Sequence, residues 1–146
     1  MPKLYNDYLI GTTRFNNKTA SENKNWRDRR EWNGCIYGVP KLICRTVPNS
    51  IQIIVIEMLN LTPGGKILGF GLITNLTKAK HIAHIYSDKT YNRYIYNSDY
   101  RVDISQIPAQ YKEVIEYLES ILFYGSGHMK RCLLYTSDAA DEEDSV

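Results

Sequence analysis

Two stretches of the chain mix aromatic and basic side chains closely enough to share one kind of chemistry. Trp26-Arg-Asp-Arg-Arg30 with Trp32 forms the first, and Lys89-Thr-Tyr91-Asn-Arg93-Tyr94-Ile-Tyr96 with Tyr100-Arg101 the second. Bases stack on Trp and Tyr faces while Arg and Lys meet phosphates, so this interleaving suits single-stranded nucleic acid. Trp26, Trp32, Tyr94 and Tyr96 are the expected stacking residues, and Arg27, Arg29, Arg30, Arg93 and Arg101 the expected phosphate contacts. Tyr and Arg on a strand also form ordinary cross-strand pairs, a reading that weighs evenly against binding.

Other constellations carry less. His81-Ile-Ala-His84 offers two imidazoles, with His128 as a conceivable third, but the spacing matches no established ligand set and no metal is expected. Gly64-Gly65-Lys66 fails as a phosphate loop, because Asn60 stands where the first glycine is needed and Ile67 where the hydroxyl is needed. Gly69-Phe-Gly71 lacks the third glycine and the following helix of a dinucleotide fingerprint. Glycines inside a strand mark a bulge, a bend or a close approach, and a bulge or bend is expected here. Glu57 suits general acid–base chemistry only if it stands in a cleft at the end of its strand; an exposed Glu in an apolar strand is the commoner arrangement. Cys35, Cys44 and Cys132 are too few for a disulfide framework, and buried thiols at 35 and 44 are expected. No nucleophile triad assembles around them. The sequons at Asn17, Asn60 and Asn75 reflect the abundance of Asn and Thr. No catalytic residue and no cofactor is expected.

The elements that must position these groups are legible in part. Residues 1–15 read as an extended lead-in containing Leu9-Ile10. Thr19-Ala-Ser-Glu22 fits a capping box, predicting a polar surface helix docked by Trp26 and ended near Asn33-Gly34. Gly34 to Pro40 reads as a loop or short strand. Ile51 to Leu59 is β-branched and nearly continuous, Thr62-Pro63-Gly64-Gly65 is a turn, and Lys66 to Ile73 returns, which predicts a hairpin. A second hairpin is expected from Tyr94-Ile-Tyr96, a turn at Asn97-Ser-Asp99, and Tyr100 to Ile104. The last element is an amphipathic helix: Ser105 as cap, Pro108 in the first turn, Tyr111, Val114, Ile115, Leu118, Ile121 and Leu122 on one stripe, and Gly125 as the stop.

The chain's 146 residues, 43% apolar and 23% charged, suffice for one globular domain with a core of its own. No apolar run has the length of a membrane helix, and the first fifteen residues lack the pattern of a secretory signal. The expected compartment is therefore the cytoplasm or nucleus of a host cell, with no membrane partner. Cys132 to Glu142 is similar over eleven consecutive residues to the translated transposase-end adapter of sequencing libraries. Residues 132–146 are accordingly expected to be an artefactual tail, with the genuine frame cut near Arg131. They carry five of the 16 acids and none of the 18 Lys and Arg, so residues 1–131 hold 18 basic against 11 acidic groups, a net of +7. Such a domain is drawn to polyanions.

Ile53-Ile-Val-Ile-Glu-Met58, a turn and Gly65-Lys-Ile-Leu-Gly-Phe-Gly-Leu-Ile73 resemble the central hairpin of PUA-like domains, including EVE- and ASCH-type members. That resemblance implies a small barrel binding RNA or modified nucleobases, often through an aromatic-lined pocket. Asn33-Gly-Cys-Ile-Tyr-Gly38, Lys66-Ile-Leu-Gly-Phe-Gly-Leu-Ile-Thr-Asn75, Asn92-Arg-Tyr-Ile-Tyr96 and Gly127-His-Met-Lys-Arg131, within Asn23 to Arg131, also resemble uncharacterised open reading frames of large DNA viruses, which implies no activity. The fold expected is α+β: one domain over 1–131, a small antiparallel sheet, barrel-like in the PUA sense, flanked by two helices. The function expected is a non-enzymatic nucleic-acid-binding module with RNA or a modified base preferred. The alternatives are a viral structural or host protein-interaction protein and, further off, a fragment of a small nuclease or hydrolase.

Overall fold

A computed structural model of the chain describes residues 8–43, 48–61, 64–77 and 84–124. The architecture is α+β: a four-stranded mixed sheet, a two-stranded sheet and two helices. Among the described residues, no helix is long and apolar enough to cross a membrane. The adapter-like tail, Cys44 and the expected stop at Gly125 lie outside the described residues.

The hydrophobic run folds as its composition dictates. β3 (Gln52–Asn60) is central, with β1 (Tyr8–Phe15) parallel on one side and β4 (Gly65–Thr74) antiparallel on the other. The lead-in is thus a full strand of the sheet, and the sheet is mixed rather than antiparallel. The β3–β4 hairpin closes where expected, with Gly64 at φ 79°, a conformation glycine adopts without steric cost. The pairing slips by one residue between Glu57/Gly69 and Met58/Ile67, so Leu68 is the extra residue of a bulge.

The expected second hairpin does not form. β5 (Tyr94–Ser98) pairs antiparallel with β2 (Cys35–Val39), whereas β6 (Arg101–Asp103) pairs with β4. Between them the chain steps from one sheet to the other. Ser98 Oγ accepts the Tyr100 amide at 3.0 Å there, and the Leu72 amide donates to Tyr100 O at 3.1 Å. The chain itself thereby joins the two sheets along one side.

α1 (Asn17–Arg29) starts earlier than Thr19. Asn16 is the cap, accepting the Thr19 amide at 2.8 Å while Thr19 Oγ accepts the Asn16 amide at 3.0 Å. Asn caps as well as any residue, and Thr at the third helical position closes the box in place of Glu. The helix ends at Arg30, not at Gly34. Glu31 takes the left-handed conformation (φ 51°), the Trp32 amide reaches Arg27 O at 2.8 Å, and the Glu31 amide reaches Asp28 O at 3.1 Å. This is the Schellman arrangement with a non-glycine residue at its left-handed position.

The last helix, α2 (Lys112–Glu119), is preceded by short 3-10 turns and followed by a wider turn over Ser120–Tyr124. Asp103 rather than Ser105 caps its approach, accepting the Ser105 amide at 3.1 Å and hydroxyl at 2.7 Å. Only part of the expected stripe is covered: Ile115 and Leu118 pack beside buried Leu122 and Phe123, whereas Tyr111, Val114 and Ile121 are exposed. The helix lies over one end of the sheet, against Ile56, Met58 and Ile67. The opposite face of the sheet buries Leu9, Phe15, Ile53, Val55 and Leu59 against β2, β5 and Trp26 of α1.

Candidate functional site

The inter-sheet core contains a set of polar groups that the apolar sequence around them conceals. Glu57, inside the most hydrophobic strand, is 3% exposed rather than on the surface. Its carboxylate receives Arg101 Nε at 3.0 Å and Nη2 at 2.7 Å, and the Tyr37 hydroxyl at 2.5 Å. Arg101 also donates to Asp103 Oδ1 at 3.1 Å. A buried carboxylate needs this degree of pairing, since burial of a lone charge is far more costly than burial of an amide.

The Gly69-Phe-Gly71 pattern accounts for the room. Gly69 stands opposite Glu57, and a Cβ on it would lie 2.7 Å from Arg101 Nη2; a Cβ on Gly71 would strike the Tyr37 hydroxyl and lie 2.9 Å from Cys35 Sγ. The glycines therefore serve close approach as well as the bulge beside them, and what approaches is the protein's own ion pair. The electrostatics follow. Burial, and next the Glu57 charge, hold the Tyr37 hydroxyl well above the ordinary phenol range. Burial alone would lower the Arg101 pKa, but its hydrogen bonds to Glu57 and the attraction of that carboxylate outweigh burial and raise it. Burial raises the Cys35 thiol as well, which makes it an inert packing group rather than a nucleophile.

A second polar chain runs from α1. Arg27 Nε donates to Asn23 Oδ1 at 2.9 Å, and Asn23 Nδ2 donates to Ile36 O at 2.7 Å and the Tyr86 hydroxyl at 3.0 Å. Burial and the neighbouring Arg101 charge lower the pKa of Arg27.

Beside these groups lies a cleft of about 440 Å³, within the size range of small-molecule sites. One wall is sheet: Gly11, Thr13, Ile53 and Val55. The facing wall is Tyr37, Val39, Tyr86 and Tyr91, and Arg14, Asn16, Thr19 and Asn60 complete the lining at one end. Tyr86 and Tyr91 meet edge to face, with ring centroids 6.4 Å apart. Among the described lining residues there is no Asp or Glu. No family model, curated protein or solved structure matches the chain.

The residues expected from sequence to bind are dispersed by the fold. Trp26 is 5% and Tyr96 1% exposed, so neither offers a face to a base. Arg30 lies 4.5 Å over the Trp26 ring, and the Tyr96 hydroxyl accepts the Ile43 amide at 2.9 Å. Trp32 is half-buried and donates to Cys35 O at 3.1 Å. Arg101 is spent on Glu57, and Arg27 on Asn23. Arg29, Arg30 and Arg93 are exposed, with Arg93 5.7 Å from the centroid of the half-buried Tyr94 ring. His84 is exposed, His81 and His128 lie outside the described residues, and no group of three metal-ligating side chains occurs among the described ones. Of the three tyrosines that the cleft does bring together, Tyr37 lies on β2 and Tyr86 and Tyr91 lie in one segment ahead of β5. Tyr91 stood in an aromatic–basic stretch of the sequence; for Tyr37 and Tyr86 only the surplus of 12 Tyr was a hint.

Proposed function

We propose that the chain is a non-enzymatic nucleic-acid-binding module that seats an unpaired base in the cleft between its two sheets. The carrying observation is the cleft itself: the exposed ring of Tyr91 beside the buried Tyr37 and Tyr86 in its lining, small and apolar groups of the sheet opposite, Arg14 at one end and no carboxylate among the described residues that border it. An exposed aromatic ring such as that of Tyr91 accepts the face of a base, and a described lining without acidic groups suits a polyanion. The net charge of +7 over residues 1–131, with exposed Arg29, Arg30 and Arg93, supplies long-range attraction. Catalysis by Glu57 is disfavoured because its buried carboxylate is already held by Arg101 and Tyr37. In this reading the two sheets are one interrupted barrel of PUA-like kind, joined at β4, β5 and β6 and open between β1 and β2.

Fluorescence anisotropy of the full chain with labelled single-stranded RNA, single-stranded DNA and duplex, at several salt concentrations, tests it. Binding should weaken steeply with salt. It should be lost in Tyr91→Ala, whose ring is 40% exposed beside the cleft, and kept in Tyr117→Ala on α2. Absence of binding at low salt would overturn the proposal. A protein-interaction role would then take its place, favoured by the exposed stripe Tyr111, Val114, Tyr117 and Ile121 on α2.

A further inference from the structure

The open side of the fold has two unequal edges. On β2 the outward side is already occupied: Ile36 O accepts Asn23 Nδ2 at 2.7 Å, and a Cβ on Gly38 would lie 3.2 Å from the Tyr86 ring. On β1, Gly11, Thr12 and Thr13 border the cleft in unbroken succession. Side chains alternate along a strand, so a cavity touched by every successive residue runs along the backbone edge. That edge is open: β1 has β3 on one side only, and among the described residues nothing hydrogen-bonds the other side of Gly11–Thr13. Gly11 leaves space as well, since a Cβ there would meet nothing nearer than Ile53 Cγ2 at 3.5 Å.

Resting on the base-pocket reading above, we infer that the outer edge of β1 at Gly11–Thr13 reads the Watson–Crick edge of the seated base through backbone groups. An outward-facing residue presents one N–H and one C=O side by side. Each of the four bases carries a neighbouring donor and acceptor on its Watson–Crick edge, so the match requires no particular side chain. The class of ligand follows: unpaired nucleotides whose Watson–Crick edge is free. A base that is paired, or methylated on that edge, leaves buried backbone groups unsatisfied.

The test uses the full chain and short homopolymers of uridine in three forms: unmodified, N3-methylated and 5-methylated. The unmodified and 5-methylated strands should bind alike, while N3-methylation and annealing to a complement should each weaken binding by about tenfold or more. Thr12→Pro and Thr13→Pro add a second readout, because proline is tolerated only where the N–H faces away from the ladder. The variant that keeps the wild-type urea midpoint should lose binding of the unmodified strand. Equal binding of N3-methylated and unmodified strands would overturn the inference, as would a folded proline variant that binds like wild type. Failure of every single strand to bind at low salt would instead overturn the base-pocket reading and this inference with it.

Discussion

Replacing Arg101 by alanine should unfold the protein more readily than any other single truncation of a charged side chain among the described residues. The guanidinium and the Glu57 carboxylate are 7% and 4% exposed, so neither is rescued by water when its partner is removed. Arg101→Ala deletes two of the three donors that hold Glu57, leaving a buried carboxylate with the Tyr37 hydroxyl alone. Breaking a buried pair from one side costs about 3–5 kcal/mol, out of a total stability of roughly 5–15 kcal/mol for a domain. The double variant Glu57→Met/Arg101→Met removes both charges and should recover most of that loss. It should retain a deficit of about 1–3 kcal/mol for the orphaned Tyr37 hydroxyl. Urea unfolding followed by the fluorescence of Trp26 and Trp32 measures all three proteins, and the order should be wild type, double variant, single variant. An Arg101→Ala cost below about 1 kcal/mol, the value of a surface pair, would mean that the ion pair is solvated and that the account of the inter-sheet core is wrong.

Gly71→Ala should destabilise by about 1–3 kcal/mol in the same assay, because its methyl group must displace the Tyr37 hydroxyl and Cys35 Sγ; an unchanged midpoint would refute the close approach. Glu31→Gly should stabilise by up to about 1 kcal/mol, since the exposed Glu31 holds a left-handed conformation that glycine adopts freely. Stability should fall as pH rises past 10. Burial raises the Tyr37 pKa well above 10 and that of Tyr86 to about 12, so the folded state holds protons that the unfolded chain releases near 10. Tyr37→Phe should make that fall shallower by about one proton, read from urea midpoints across the alkaline range.

What could be read from the sequence divides by the range of the interactions. The β3–β4 hairpin was legible because its strand run, turn and return are contiguous. The Tyr94 to Ile104 segment carries the same alternation whichever strand it pairs with, and nothing local says that Tyr96 faces Tyr37 while Arg101 faces Gly71. The aromatic–basic clusters were real in composition but not in exposure, since helical and strand geometry turned Trp26 and Tyr96 inward. One signal did lie in plain view. A single carboxylate inside a run of buried β-branched residues demands a cationic partner, and two glycines on the following strand supply the room for one. Only the identity of that partner, Arg101, required the fold.

The three groups of the buried cluster come from three strands, Tyr37 from β2, Glu57 from β3 and Arg101 from β6, and so from both sheets. They fasten the sheets to each other along the β4–β6 side. Across the opposite side, between β1 and β2, no described backbone hydrogen bond runs. Fastening concentrated on one side lets the other stay open without loss of the fold, and the cleft lies on that open side. Tyr37 belongs to both, bordering the cleft and donating its hydroxyl to Glu57. Tyr37→Phe keeps the ring and should leave base binding intact while lowering stability, whereas Tyr91→Ala should do the reverse. A common loss of both properties in each variant would mean that the fastened side and the open side are one cooperative unit.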